Sequence, residues 1–238
     1  MSHATRKHRY SRRVQAAGER RIKKMSDVIK MLKEAVRILE EKEEKEKTVK
    51  VSSLNLGDVF KDRDGEEYII LEHTEDGRTA VLKKGLLEEM QFGSSNDWRD
   101  SYIRQELNST YLRSLEEKFG EENILAHTVD LFSMDGLDDY GKCQDKVSIM
   151  TADGYKKYRR EIDKATDGPI GGWWWLCTPD STPSGAGSSY VRIVYSSGSL
   201  GYNTANGNSL AVRPFFILAS SALVFHVRGK EQCRKMNL

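Results

Sequence analysis

The stretch GGWWWLCTPDSTPSGAGSSYVRIVYSSGSLGYNTANGNSLAVRPFFIL, residues 171–218, decides how this chain is interpreted. It holds three of the four tryptophans and is otherwise rich in Gly, Ser, Thr and Asn, which predicts short strands joined by loops. Residues in an extended chain alternate between two faces. We therefore expect Trp174 to point away from Trp173 and Trp175, with at least one of the three in the core.

The strand predicted after the tryptophans places Tyr190 and Arg192 on one face and Val191 and Ile193 on the other. The aliphatic pair indicates the core side. Tyr, Ser and Asn then dominate up to position 209, and such mixtures suit recognition because Tyr offers a large contact area and Ser and Asn offer adaptable hydrogen bonds. An ordinary solvated loop is the alternative. The predicted ligand-binding residues are Tyr190, Arg192, Ser197, Ser199, Tyr202, Asn203, Asn206 and Asn208.

No Asp or Glu occurs between Asp180 and Glu231. A calcium site needs several carboxylate oxygens, and glycoside hydrolysis needs a pair of carboxyl groups. This segment alone therefore predicts calcium-independent binding, and we expect no metal and no cofactor. Cys143, Cys177 and Cys233 are widely spaced without a CxxC pair, which predicts free thiols.

Charge is distributed unevenly along the 238 residues. The formal net charge is +2, but residues 1–24 carry nine Lys or Arg against Glu19 alone, so the arm is +8 and the remainder is −6. The chain contains neither a run of about 20 apolar residues for a membrane span nor the apolar segment of a secretory signal. We expect cytoplasmic synthesis without a signal peptide.

Residues 22–47 are predicted to form an amphipathic helix of the coiled-coil type. Its apolar residues recur every three or four positions, at a and d of consecutive heptads, and this seam stops at Glu43. β-Branched residues at a with a Leu-rich d favour two strands. A single helix lying on its own globular domain is the alternative. The predicted oligomerisation residues are Ile22, Met25, Ile29, Leu32, Val36 and Leu39.

The globular domain is predicted to span residues 49–226, with a basic arm over 1–21 and a C-terminal tail over 227–238. Three short strands are expected first, joined by the turn sequences DRDG and EDGR. Ser101 is predicted to cap one helix, and Thr151 to begin a second, ADGYKKYRREI. Strands and helices in this order predict the α+β class.

Four ordered motifs resemble a bacterial and phage domain of uncharacterised function: SYIRQELN (101–108), VSIMTADGYKKYR (147–159), WWWLCTP (173–179) and AVRPFFIL (211–218). That family typically has S-x-hydrophobic-R-x-W-L-N, hydrophobic-L-T-x-x-E-Y, W-W-L-R-S-P and G-V-R-P in this order. The resemblance covers residues 49–218. It implies a C-type-lectin-like fold related to formylglycine-generating-enzyme modules, and some family members are variable proteins that diversity-generating retroelements alter at adenines.

This chain departs from the family pattern at Glu106, Cys177, Thr178, Ser197 and Ala211. Because the Arg of the tryptophan motif is missing, Arg213 is expected to be the internal charge, satisfied by backbone carbonyls. The resemblance places the variable positions between the tryptophans and the Val-Arg-Pro strand, where Asn codons can be altered at adenines. The residues predicted to be scaffold are Trp173, Trp174, Trp175, Arg213 and Pro214.

Three functions remain open. The first is a ligand-binding protein, oligomerised by the helix, that recognises a cell-surface protein or glycan and, in a phage, belongs to the virion. The second is binding of nucleic acid or an acidic partner through the arm, with phosphate contacts from Arg6, Lys7, Arg9, Arg12 and Arg13. The third, a formylglycine-generating enzyme, needs two nearby cysteines in a catalytic context that the sequence lacks, so we predict no enzymatic activity.

Overall fold

The computed structural model describes residues 23–39, 47–166 and 172–227. The chain divides into two compact units, Met1–Lys47 and Thr48–Leu238. In the first unit, residues 23–39 form helix α1. The second unit, called the head below, combines antiparallel sheets with a few short helices. The predicted α+β class is confirmed.

Within the described residues the head contains four α-helices and fifteen strands. The helices are α2 (Tyr102–Glu106), α3 (Leu112–Phe119), α4 (Ala152–Lys157) and α5 (Arg159–Thr166). The strands are β1 (Thr48–Lys50), β2 (Val59–Lys61), β3 (Glu67–His73), β4 (Arg78–Lys83), β5 (Leu87–Gln91), β6 (Ile124–Leu125), β7 (His127–Asp130), β8 (Lys142–Asp145), β9 (Val147–Ile149), β10 (Trp174–Pro179), β11 (Tyr190–Val194), β12 (Leu200–Thr204), β13 (Ser209–Val212), β14 (Pro214–Ala219) and β15 (Leu223–His226).

Two main sheets organise the head. The larger has the order β1-β15-β2-β3-β4-β14, and β6 and β9 both pair with the far edge of β14. The smaller has the order β12-β11-β10-β13-β5, in which only β10 and β13 run parallel. β7 and β8 form a separate hairpin. Since β1 pairs with β15, the two ends of the head meet in one sheet.

The first three predicted strands correspond to β2, β3 and β4, and the turns between them lie where DRDG and EDGR occur. Gly65 and Gly77 have φ of 87° and 77°, which glycine adopts without steric cost. In the first turn Asp62 is buried, and its carboxylate accepts hydrogen bonds from two backbone N–H groups and from the hydroxyl of Tyr68. Lys118 of α3 completes an ion pair with Asp62 at 2.9 Å, so the turn is fixed to a helix.

The motif SYIRQELN begins α2 and carries the chain into α3 through a π turn over Leu107–Tyr111. Ser101 caps α2, since its side chain accepts a hydrogen bond from the backbone N–H of Arg104, as predicted. Asn108 leaves helical geometry, and its side-chain amide donates to the carbonyl of Val147 while its oxygen accepts from the N–H of Val147. The π turn therefore joins the helix to β9.

The second predicted helix differs from the structure. Thr151 caps α4 as expected, but the single helix predicted over ADGYKKYRREI ends at Lys157 and restarts at Arg159. Tyr158 has φ −101° and ψ 15°, and its hydroxyl donates to Glu72 of β3, which also pairs with Lys157 at 2.7 Å. Tertiary contacts with β3 override the local helix propensity on which the prediction depended.

Two hydrophobic cores lie on opposite faces of β10. Trp175 and Cys177 belong to a core that includes residues of both sheets and of α2 and α3. Trp174 and Leu176 belong to a second core, which α4 and α5 cover. A strand buried on both faces has a continuous apolar run rather than alternation, which explains the sequence WWLC from Trp174 to Cys177. The opposite directions predicted for Trp174 and Trp175 are confirmed.

Candidate functional site

The predicted recognition segment forms the β11–β12 hairpin at the edge of the smaller sheet. The antiparallel register pairs Arg192 with Tyr202 and Tyr190 with Thr204, so these side chains share the outward face. Val191 and Ile193 point the other way and are fully buried in the first core, as predicted. Among the described strands β12 pairs only with β11, so its outer edge is open.

Two tyrosines lie side by side on this outward face. The rings of Tyr190 and Tyr202 meet edge to face with centroids 5.3 Å apart, and their side chains are 44% and 55% exposed. The guanidinium of Arg192 lies 5.8 Å from the ring of Tyr202 and pairs with Asp180 at 2.7 Å. We call these four residues the tyrosine cluster. Arg192 is largely buried. Its guanidinium contacts the ring of Tyr202, and Asp180 neutralises its charge.

Asn96 holds the start of this hairpin in place. Its side-chain amide donates to the carbonyls of Ser181 and Tyr190 at 2.8 and 2.9 Å, and its oxygen accepts from the hydroxyl of Tyr140 at 2.7 Å. The Asn96 side chain lies in the interior, where a polar group with all its hydrogen bonds made orders its neighbours. Sequence reasoning missed Asn96 and Asp180 because their partners are far away in sequence or give no local pattern.

The predicted asparagines occupy the end of the hairpin beside Thr204. Asn203 is half-buried, and its side-chain oxygen accepts from the N–H of Thr204 and from the amide of Asn208, at 2.8 and 2.9 Å. Asn206 and Asn208 are exposed. Asn203 therefore shapes this loop, while Asn206 and Asn208 present polar groups to solvent next to the tyrosine cluster.

Ser197 and Ser199 lie at the opposite end of the hairpin, in the turn that joins β11 to β12. Both are exposed, and their hydroxyl oxygens are 2.7 Å apart. Five-residue strands separate the two ends by about 13 Å at about 3.3 Å per residue. The carbonyl of Gly198 in this turn accepts hydrogen bonds from Tyr155 and Arg159 at 2.8 and 2.6 Å. The predicted ligand-binding residues other than Asn203 thus form a strip along the hairpin. Asn203 pairs with Val191 and so lies on the opposite face.

The five residues predicted to be scaffold separate into two groups. Trp174, Trp175, Arg213 and Pro214 are buried, but Trp173 is 46% exposed. Trp173 precedes β10, and its ring packs edge to face against Tyr195 with centroids 4.7 Å apart, so its scaffold role stays a prediction. It adds an exposed aromatic ring at the Ser197 end of the strip.

Arg213 is the buried cation that the sequence predicted. It donates to the carbonyls of Lys83 and Lys84 at 2.8 and 3.0 Å, and its guanidinium lies 5.2 Å from the ring of Trp174. Its Nη1 atom has no hydrogen-bond partner among the described residues. Burial lowers the pKa of Arg213 to about 9, so the group stays charged at neutral pH. It ties β4 to the junction of β13 and β14.

The loop that contains Met134 and Asp139 brings acidic groups to residues 181–230, the segment without Asp or Glu. The N–H of Met134 donates to the carbonyl of Pro179 at 3.1 Å, and Asp139 accepts from the N–H of Ser184 at 2.8 Å. That hydrogen bond lowers the pKa of Asp139. In the described residues no group of three or more His, Cys, Asp or Glu side chains has the arrangement of a metal site.

The described thiols are poor nucleophiles. Burial raises the pKa of Cys143 to about 11, and it raises the pKa of the fully buried Cys177 well above its ordinary value. The thiolate is the reactive form, so the raised pKa values favour the less reactive thiol form of both side chains at neutral pH. Cys233, the third predicted free thiol, lies outside the described residues.

One small pocket of about 190 Å³ lies away from the hairpin, between β7, β9 and the start of α4. His127 lines it and has its Nε2 atom 2.9 Å from the hydroxyl of Ser148. Burial lowers the pKa of His127 to about 4, so the ring is neutral at pH 7. The Nδ1 atom has no partner among the described residues, and no carboxylate orients the ring as a catalytic triad would require.

The remaining predicted residues belong to the N-terminal unit. On α1, Met25, Ile29, Leu32, Val36 and Leu39 are all exposed. Ile22 and the five cations predicted to contact phosphate, Arg6, Lys7, Arg9, Arg12 and Arg13, lie outside the described residues.

Comparisons of the chain with protein-family models, curated proteins and solved structures gave no match. In the part of the chain that the structure describes, no helix has the length and apolar character needed to cross a membrane. Function must therefore be argued from the site.

Proposed function

We propose that this chain is a ligand-binding protein whose C-type-lectin-like head contacts its ligand through the outward face of the β11–β12 hairpin. The observation that carries the proposal is the pair of exposed tyrosines held on an anchored hairpin. Aromatic side chains with few rotatable bonds lose little entropy on binding and are enriched among residues that dominate binding energy. Tyr190 and Tyr202 are already packed against each other, so little further ordering is needed.

The fold assignment and the family resemblance are part of the proposal. The pairing of β1 with β15 supports a lectin-like domain whose ends meet. The motif residues support the resemblance through the structural contacts they make: Ser101 caps α2, Arg104 pairs with the buried Asp145 at 2.7 Å, and Arg213 ties β4 to the β13–β14 junction. Thr178, which replaces the family's Ser, accepts a hydrogen bond from the first N–H of α4 at 2.9 Å.

The ligand is a cell-surface protein or glycan bound without calcium, cofactor or catalysis. The raised pKa values of Cys143 and Cys177 support a role that does not use either thiol as a nucleophile. The α1 helix associates copies of the chain, so several heads bind together and avidity offsets modest single-site affinity. Diversification by a retroelement fits the position of the strip, and a near-copy of the 3′ end of the gene, differing chiefly at adenines, tests it.

The binding site is tested with fluorescently labelled full-length protein on a glycan array and on a panel of intact bacterial cells. Where the unmutated protein binds, the variant Tyr190→Ala/Tyr202→Ala should bind at least about 30-fold more weakly, since two such residues contribute about 1 kcal/mol or more each. Tyr102→Ala is the matched control, because Tyr102 is 45% exposed on α2. Equal binding by the double variant and the control would overturn the site assignment.

A further inference from the structure

The apolar surface of α1 is wider than a two-stranded coiled coil uses. At about 100° per residue, nine apolar residues fall within about one half of the helix circumference. They are Met25, Val28, Ile29, Met31, Leu32, Ala35, Val36, Ile38 and Leu39. All except Ala35 are large, and these eight are 47–73% exposed. A two-stranded seam occupies only the a and d positions.

These nine residues form two parallel rows, each with alternating spacings of three and four. The first row contains Met25, Ile29, Leu32, Val36 and Leu39, and the second contains Val28, Met31, Ala35 and Ile38. Such spacing suits packing against another helix. The opposite face carries Lys23, Ser26, Asp27, Lys30, Lys33, Glu34 and Arg37, so it suits solvent. Only Lys24 interrupts the apolar half.

The angle between the two rows determines how many helices fit around a common axis. On the helical wheel the row centres are about 100° apart. In a closed ring each helix meets its two neighbours at about 60° for three helices, 90° for four and 108° for five. We infer that α1 assembles four or five copies of this chain, each helix meeting one neighbour through each row. The inference rests on the self-association proposed above.

A two-stranded coil, which the heptad pattern of the first row favours, buries less, because it leaves Val28, Met31 and Ile38 exposed on every copy. A helix that docks on its own head would also bury a face of this width. Docking within one copy would leave the chain a monomer of 27.1 kDa, so the mass of the intact protein distinguishes it from assembly. The second row was not predicted from the sequence, because the β-branched residues at the a positions of the first row indicate a single seam.

The mass of the full-length protein tests this assembly. Sedimentation velocity and light scattering on the intact chain, 27.1 kDa per copy, should give about 108 or about 136 kDa. The second-row variant Met31→Gln/Ile38→Gln should fall to about 54 kDa, because the second row then keeps only Val28 and Ala35 as apolar residues while the first row is unchanged. Lys30→Gln/Lys33→Gln, on the polar face, is the matched control and should keep the mass of the unmutated protein. Gln has good helix propensity, and circular dichroism checks that α1 persists in both variants.

Other masses of the unmutated protein or of the second-row variant would contradict the inferred assembly. An unmutated mass of about 54 or about 81 kDa would overturn four- or fivefold assembly while leaving self-association intact. A mass of 27.1 kDa would overturn self-association itself. A second-row variant that keeps the full mass would show that Met31 and Ile38 lie outside the interface.

Discussion

Asp145 should be one of the residues on which the stability of the head depends most. Its buried carboxylate accepts hydrogen bonds from Nε1 of Trp98 at 2.8 Å and from Nε of Arg104 at 2.7 Å. It thereby joins the end of β8 to α2 and to the helical turn before it. Asp145→Ala would leave the buried indole N–H and the guanidinium of Arg104 without their acceptor.

The expected loss follows from these contacts. Removing one partner of a buried ion pair costs about 3–5 kcal/mol, because the other charge stays buried and unpaired. Arg104 is partly exposed and reaches water, which favours the lower part of that range. For a domain of this size 1 kcal/mol shifts the melting temperature by about 2–4 °C, so a loss of about 3 kcal/mol should make Asp145→Ala melt roughly 6–12 °C below the unmutated protein.

Urea denaturation of both proteins, followed by tryptophan fluorescence, measures the difference in free energy of unfolding. Asp130→Asn is the matched control, because the Asp130–Lys142 pair on the same β7–β8 hairpin is exposed and should contribute less than about 1 kcal/mol. The reasoning fails if Asp145→Ala costs no more than the control. A double-mutant cycle with Arg104→Ala isolates the pair, and purely additive losses would show that the two residues are not coupled.

Three further predictions concern acid stability, thiol reactivity and the anchoring of the hairpin. Burial raises the pKa of Asp62, but hydrogen bonds, first of all from Lys118, outweigh burial, so the pKa is lowered. The contribution of Asp62 to the free energy of unfolding is complete above the unfolded pKa near 4 and is lost as pH falls through the folded pKa. Asp62→Asn should therefore flatten the loss of stability below about pH 4 in urea titrations. Cys143 and Cys177 should remain unmodified by iodoacetamide at pH 8 in the folded protein, and mass spectrometry showing rapid labelling of either would contradict their raised pKa values. Asn96→Ala should cost about 2–3 kcal/mol in urea denaturation, since it leaves buried groups unpaired, and a loss under about 0.5 kcal/mol would show that Asn96 is not an anchor.

Local features of the fold could be predicted from the sequence, and long-range contacts could not. Caps at Ser101 and Thr151 depend on neighbouring N–H groups, and the alternation of Trp174 and Trp175 follows from extended geometry. The strand β5 was not predicted because its sequence LEEMQ has two adjacent glutamates and no alternation of apolar and polar residues, and it becomes a strand by pairing with β13. The same limit applies to the site: the sequence indicated the two tyrosines but not the ion pair with Asp180 that supports them.

The way the hairpin is attached explains why recognition and stability can be separated in this head. Its turn is fixed through the carbonyl of Gly198, which Tyr155 reaches, and its start is fixed through the carbonyl of Tyr190, which Asn96 reaches. Both anchors bind main-chain atoms, so replacing the outward side chains of Tyr190 or Tyr202 removes neither of them. Exposed substitutions away from such anchors usually change stability by less than about 0.5 kcal/mol. The hairpin can therefore change the outward side chains that we propose contact the ligand while its backbone stays in the same place, which is the property that the proposed diversified surface requires.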